Sequence, residues 1–279
     1  MDPGGAPPAR KGRSAPATDG AYALALAGYR ERVDVKGLID RLETRLRAVG
    51  TPERAAGEKR YLKSELEFLG VTVWEIRAAV KEISAEHRDL ERQDLITLVE
   101  ALWVEPVFER RMASVFLLDR FADRLGVADL PLIERLVRES LTWALVDGLA
   151  GDVLGRLVEA DPGGVTPAMD RWATDDDFWI RRASLLAELR PIRRGATLHR
   201  FLRRADEMLD EREFFIRKAI GWVLREASKK RPDEVAAWVA PRTHRASGVT
   251  MREAVKYLAP SDAKRLTTAY RERRPAAVG

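Results

Sequence analysis

The sequence predicts an all-α fold, a right-handed α-solenoid of HEAT-like helix pairs. Three observations lead there. Apolar residues recur at helical spacing along almost the whole chain from Val35 onward, runs of alternating β-branched residues are missing, and one aromatic–arginine–alanine pattern keeps returning.

The first twenty residues, MDPGGAPPARKGRSAPATDG, are rich in Pro, Gly, Ala and Ser. They contain no apolar stretch of the kind a secretory signal needs, and residues 1–20 read as a disordered tail. Residues 21–273 read as one helical-repeat domain and 274–279 as a short second tail. Turn residues at Gly50-Thr51-Pro52, Gly70, Gly126, Gly163-Gly164, Asp210 and Arg231-Pro232 cut the domain into about a dozen helices of roughly 10–20 residues, with no sheet.

The repeat is visible residue by residue. Trp74-Glu75-Ile76-Arg77-Ala78-Ala79, Phe108-Glu109-Arg110-Arg111-Met112-Ala113, Phe178-Trp179-Ile180-Arg181-Arg182-Ala183 and Phe214-Phe215-Ile216-Arg217-Lys218-Ala219 share an aromatic first residue, Arg at the fourth place and Ala at the sixth. The starts at 74 and 108 lie 34 apart and those at 178 and 214 lie 36 apart. The 70-residue gap between 108 and 178 holds one more unit, Thr142-Trp143-Ala144-Leu145-Val146-Asp147. Such a period, with two helices per unit, describes stacked helix pairs whose inner helices line a concave face.

The middle unit breaks the rule. Asp147 stands where the others have alanine, and Leu145 where they have arginine. Trp143 precedes Asp147 by four residues and shares its helix face. Trp222, ninth in its unit, falls on the same stripe two repeats later, and Arg182 borders it. An acid, two indoles and a guanidinium are thus expected on one surface. Tryptophan at helical spacing is more often core than ligand platform, and Phe116 and Leu186, also ninth in their units, read as core.

Composition narrows the chemistry. The 279 residues contain no cysteine, which excludes disulfides, thiolate zinc sites and a cysteine nucleophile. His87, His199 and His244 are isolated, so no metal and no cofactor are expected. No apolar run is long enough for a membrane span, and the expected compartment is the cytoplasm. The net charge of +5 is uneven: residues 171–231 hold 16 Lys/Arg against 10 Asp/Glu, and residues 129–170 hold 3 against 8. A basic C-terminal half fits phosphate contact.

Five segments together resemble the AlkD-like DNA alkylation repair family. They are Lys59-Arg60-Tyr61-Leu62-Lys63-Ser64, Phe68-Leu69-Gly70-Val71, Trp143 to Asp147, Phe178 to Arg182, and Phe214-Phe215-Ile216-Arg217-Lys218-Ala219-Ile220-Gly221-Trp222-Val223-Leu224-Arg225-Glu226. The resemblance runs from about residue 57 to residue 260. It implies a monofunctional glycosylase, active as a monomer on double-stranded DNA, that hydrolyses the N-glycosidic bond of cationic purines such as 3-methyladenine and 7-methylguanine, with bulky N3 or N7 adducts as further candidates. It implies that Asp147 is the essential carboxylate and that Trp143 and Trp222 are the indoles contacting the deoxyribose. Tyr61, Arg181, Arg182, Lys218 and Arg225 are the implied DNA contacts. The family's central run commonly reads Trp-Trp-Asp-x-Val-Asp; Thr142 and Ala144 depart from it. Two other readings of a helical-repeat chain are a non-catalytic binder of unusual DNA structures and a protein-binding scaffold. A basic stripe around a lone acid favours the enzyme over the scaffold.

Overall fold

Every regular element among the described residues, 34–272 of the computed structural model, is helical; the β content is one isolated bridge between Glu67 and Val107. The tails expected at 1–20 and 274–279, and the stretch 21–33 of the expected domain, lie outside the described residues. In chain order the helices are α1 (Val35–Val49), α2 (Pro52–Leu62), α3 (Val73–Glu86), α4 (Arg92–Val104), α5 (Phe108–Arg120), α6 (Leu130–Arg138), α7 (Trp143–Asp147), α8 (Gly155–Ala160), α9 (Pro162–Trp172), α10 (Phe178–Leu186), α11 (Leu189–Arg193), α12 (His199–Glu207), α13 (Phe214–Ser228), α14 (Pro232–Val239), α15 (Gly248–Ala254) and α16 (Pro260–Glu272). Several are shorter than the sequence pattern suggests.

Local chemistry explains where they start. Thr51, Thr72, Asp161, Asp177, Glu213 and Ser247 each accept a backbone N–H in the first turn of the helix that follows, and Thr72 with Glu75 forms a full capping box. Proline opens α2, α9, α14 and α16, where its missing N–H costs nothing. Two left-handed turn positions carry glycine, Gly70 (φ 77°) and Gly195 (φ 102°); two carry side chains, Lys63 (φ 49°) and Leu141 (φ 54°). A side chain in that region costs roughly 1–2 kcal/mol.

The aligned helices form one layer. Helix α3 packs on α5, α5 on α7, α7 on α10, α10 on α13, and α13 on α15. Helices α4, α6, α9, α12 and α14 back this layer. The result is an all-α solenoid of helix pairs. Its register is the one the repeat predicts: Ala79, Ala113, Ala183 and Ala219 are at most 1% exposed. Phe116 and Leu186 are core, as expected. The fourth-position arginines are scaffold: Arg181 donates to the Asp175 carbonyl and Arg217 to the Glu211 carbonyl, each at 2.6 Å and six residues upstream. Arg111 donates to the Glu139 carbonyl, and Arg77 lies over the Phe116 ring.

Ion pairs stitch neighbouring repeats. Arg92–Asp129, Arg156–Asp119, Arg138–Asp175, Arg182–Asp147, Arg204–Asp170 and Arg242–Asp206 join residues 34 to 37 apart, one repeat each. Exposed members of this ladder contribute about 0–1 kcal/mol each. The long-range order of the array therefore rests on nearest-neighbour packing.

The middle inner helix is irregular. Helix α7 runs without a break into a π-helical segment, Gly148–Leu154, and then into α8. Wide turns of this type are frequent at functional sites. Packing explains two of its glycines. A Cβ on Gly148 would stand 2.7 Å from Val115 Cγ1 on α5, and one on Gly155 would stand 2.8 Å from Arg190 Cβ on α11. Val115 is fully buried and β-branched, so it has nowhere to go. Gly148→Ala is expected to cost about 1–3 kcal/mol by overpacking, read as a lower urea midpoint at an unchanged slope.

Candidate active site on the inner helices

Asp147 closes the last turn of α7, and its carboxylate meets a guanidinium from the next repeat. Arg182 Nε donates to Asp147 Oδ1 at 2.8 Å and Nη2 donates to Oδ2 at 2.9 Å. The arginine side chain is 3% exposed and the aspartate 15%. Arg182 is fixed in turn by α13: its Nη1 donates to the Phe215 carbonyl at 2.5 Å, and its guanidinium lies 5.7 Å from the Phe215 ring centre. Asp147 is thus clamped from one side by a fork that is itself clamped. Each carboxylate oxygen has two acceptor positions, and Arg182 takes one on each. The remaining capacity belongs to the side that is still open. Burial pushes the Asp147 carboxyl above its usual value, while the charge and hydrogen bonds of Arg182 pull it back down.

Trp143 is half-buried one turn before Asp147, and Tyr61 comes to it from α2. Their rings meet edge to face, with centres 5.8 Å apart and planes at 81°. Tyr61 is otherwise open, 72% exposed. A buried carboxylate holds the segment that follows α2: Glu109 on α5 accepts the N–H groups of Leu69, Gly70 and Val71 at 2.8–3.2 Å. Gly70 is required at that turn, since a Cβ there would stand 2.1 Å from the Thr51 carbonyl oxygen.

The other expected site residues separate into two groups. Trp222 is half-buried on α13, seven residues from Phe215 and hence on the same helix face. No ring contact joins it to Trp143 among the described residues. Lys218 and Arg225 flank it, and both hold Glu253 of α15, Arg225 at 2.5 Å. Gly221 lets α15 approach that closely: a Cβ there would stand 2.8 Å from Glu253 Cβ. The Arg181 guanidinium is engaged by another acid. Both its Nε and its Nη2 bind Glu211, at 2.8 and 2.9 Å.

Sequence reasoning missed three features. Phe215 anchors Arg182, and it belongs to an aromatic patch in which Phe178–Trp179, Trp179–Phe215 and Phe214–Phe215 centres lie 4.4–5.5 Å apart. Glu109 fixes the segment after Tyr61. Unpaired positive charge also lies outside the half of the chain that the residue count favoured. Several C-terminal cations are spent on carboxylates, whereas Lys59, Arg60 and Lys63, all exposed around Tyr61, have no ion-pair partner among the described residues. Their signal was the run Lys59-Arg60-Tyr61-Leu62-Lys63, with no acid within it.

No group of His, Cys, Asp or Glu that could hold a metal occurs among the described residues, and no helix there is long and apolar enough to cross a membrane. The site consists of a clamped carboxylate, an indole, a phenol and nearby cations.

Solved structures share this architecture. A structure titled a predicted DNA alkylation repair enzyme from Enterococcus faecalis is similar with a TM-score of 0.69 at 24% identity, covering 76% of this chain and 98% of its own. AlkD2 from Streptococcus mutans follows at 0.59 and 17%, covering 80% and 99%, and smu.31 from Streptococcus mutans UA159 at 0.52 and 18%, covering 67% and 99%. No match is found among curated proteins. The family model described as DNA alkylation repair enzyme matches residues 42–258, and the chain belongs to that family. Membership supports a role in DNA repair, with DNA as the partner.

Proposed function

We propose that this chain is a DNA glycosylase that releases cationic alkylated purines, 3-methyladenine and 7-methylguanine, from duplex DNA, as a monomer and without a cofactor. The observation that carries the reading is Asp147, an acid at the one inner-helix position that is alanine elsewhere, clamped by Arg182 and one turn from Trp143. A purine alkylated at N3 or N7 departs neutral, so its release needs no general acid. The positive charge moves to the deoxyribose as an oxocarbenium ion. A fixed carboxylate stabilises that charge directly, and an indole face adds about 0.5–2 kcal/mol by cation–π attraction. The open acceptor positions of Asp147 are suited to orient the attacking water. Trp222 supplies a second indole to the same surface in this reading.

The test is release of free 7-methylguanine from methylated duplex DNA by the purified chain. No release above the uncatalysed rate would end the proposal. Binding should be salt-sensitive and weakly sequence-specific, because phosphate contacts position DNA without reading it. Neutralising Lys59 and Arg60 is expected to flatten the slope of log affinity against log salt by about 0.9 for each phosphate that then goes unneutralised. Arg181→Ala should leave the slope as it is, since that guanidinium is already committed to Glu211. Equal slopes in all three proteins would place the phosphate track elsewhere.

A further inference from the structure

Lys63 and Leu141 are the only non-glycine residues with positive φ among the described residues, and both flank the same ring pair. Lys63 lies two residues after Tyr61, and Leu141 two residues before Trp143, the two side chains that meet edge to face. Leu141 is the more unusual. A branched apolar side chain is disfavoured in the left-handed region, which glycine occupies at no steric cost. The chain does use glycine at two other positive-φ turns, Gly70 and Gly195. The leucine is not kept for the core, because it is 52% exposed.

The same turn breaks two further rules. Thr142 occupies the N-cap position of α7 but makes no capping bond, and its Oγ1 is buried without a hydrogen-bond partner. Local stability thus explains neither residue. Strained backbone that persists beside a reactive constellation points to a side chain held there for use.

We infer that Leu141 is a substrate-contacting specificity residue that seats its isobutyl group against the apolar edge of the damaged nucleotide, its deoxyribose and the adjoining base edge, beside Trp143. This rests on the reading of the inner face as the DNA site. The left-handed backbone aims the side chain outward, the exposed half of the leucine is the contact surface, and DNA covers it on binding.

The experiment compares wild type with Leu141→Asn and Leu141→Gly, both tolerated at positive φ. It measures the melting temperature, the affinity for a duplex carrying a tetrahydrofuran abasic site, and the affinity for the same duplex undamaged. Both variants should melt at or above the wild-type temperature. Both should bind the abasic duplex about tenfold more weakly, the scale of losing half a buried leucine, with a smaller loss on undamaged DNA. Unchanged affinity for the abasic duplex overturns the inference. So does a melting temperature several degrees lower in both variants, which would show that the leucine is held by packing. The affinity arms need no base excision, so a wild-type chain that releases no 7-methylguanine but still loses affinity in these variants would reject the glycosylase chemistry and keep the contact.

Discussion

Asp147→Asn is expected to slow single-turnover excision of 7-methylguanine by about 10²–10³-fold, the usual loss when one preorganised electrostatic stabiliser is removed. Duplex affinity should hold or rise, because an acid facing phosphates is gone. The geometry adds a control. Arg182 presents N–H donors to both oxygens of Asp147, so the asparagine amide must turn one N–H₂ toward a donor. That mismatch costs about 1–3 kcal/mol, so folding is to be verified on the same sample. The pH dependence follows from the raised carboxyl. Burial holds it above the ordinary 3.8, so the rate is present above the raised value and is lost as pH falls through it. The Asn variant should lack this acid limb. A folded, DNA-bound Asp147→Asn protein that excises at the wild-type rate would make Asp147 a scaffold residue, one more rung in the ladder of inter-repeat ion pairs.

Arg182→Ala should destabilise the chain by about 3–5 kcal/mol, because it leaves a largely buried carboxylate without its partner. The size follows from the burial of both groups and from the missing bond to the Phe215 carbonyl. Two signatures separate this from loss of packing. Without the guanidinium, nothing offsets desolvation, so the acid limb of the rate should move to higher pH. The stability deficit should shrink as pH is lowered, because protonation removes the unpaired charge. A deficit that is the same at pH 4 and pH 8 would show that Arg182 acts by packing alone. Arg225→Ala should cost far less, since Lys218 still holds Glu253.

The fold was legible because the repeat is written at the positions that cannot vary. Four alanines at the helix contacts and the aromatic–arginine frame set both period and register. Asp147 was legible for the same reason, as the exception in that frame. What escaped depends on contacts across repeats. Arg181 and Arg182 are neighbours of one residue type, yet one binds Glu211 and the other Asp147; nothing in their local sequence separates them. The π-helical segment packs against α5 and α11, and Gly148 and Gly155 are its trace in the sequence. Charge counting could not see that Glu253, Glu211 and Asp206 take up several of the C-terminal cations.

The pair Asp147–Arg182 spans a single boundary between repeats, and this has a mechanical consequence. An array held by nearest-neighbour contacts can change pitch like a spring, with the strain shared among many boundaries. A carboxylate and its positioning arginine on either side of one boundary feel only the fraction of that motion that falls between them. The array can therefore flex while the distance between carboxylate and guanidinium stays nearly constant. The one deformation that would separate them is a hinge opening between α7 and α10, on whose far side Phe215 of α13 holds Arg182.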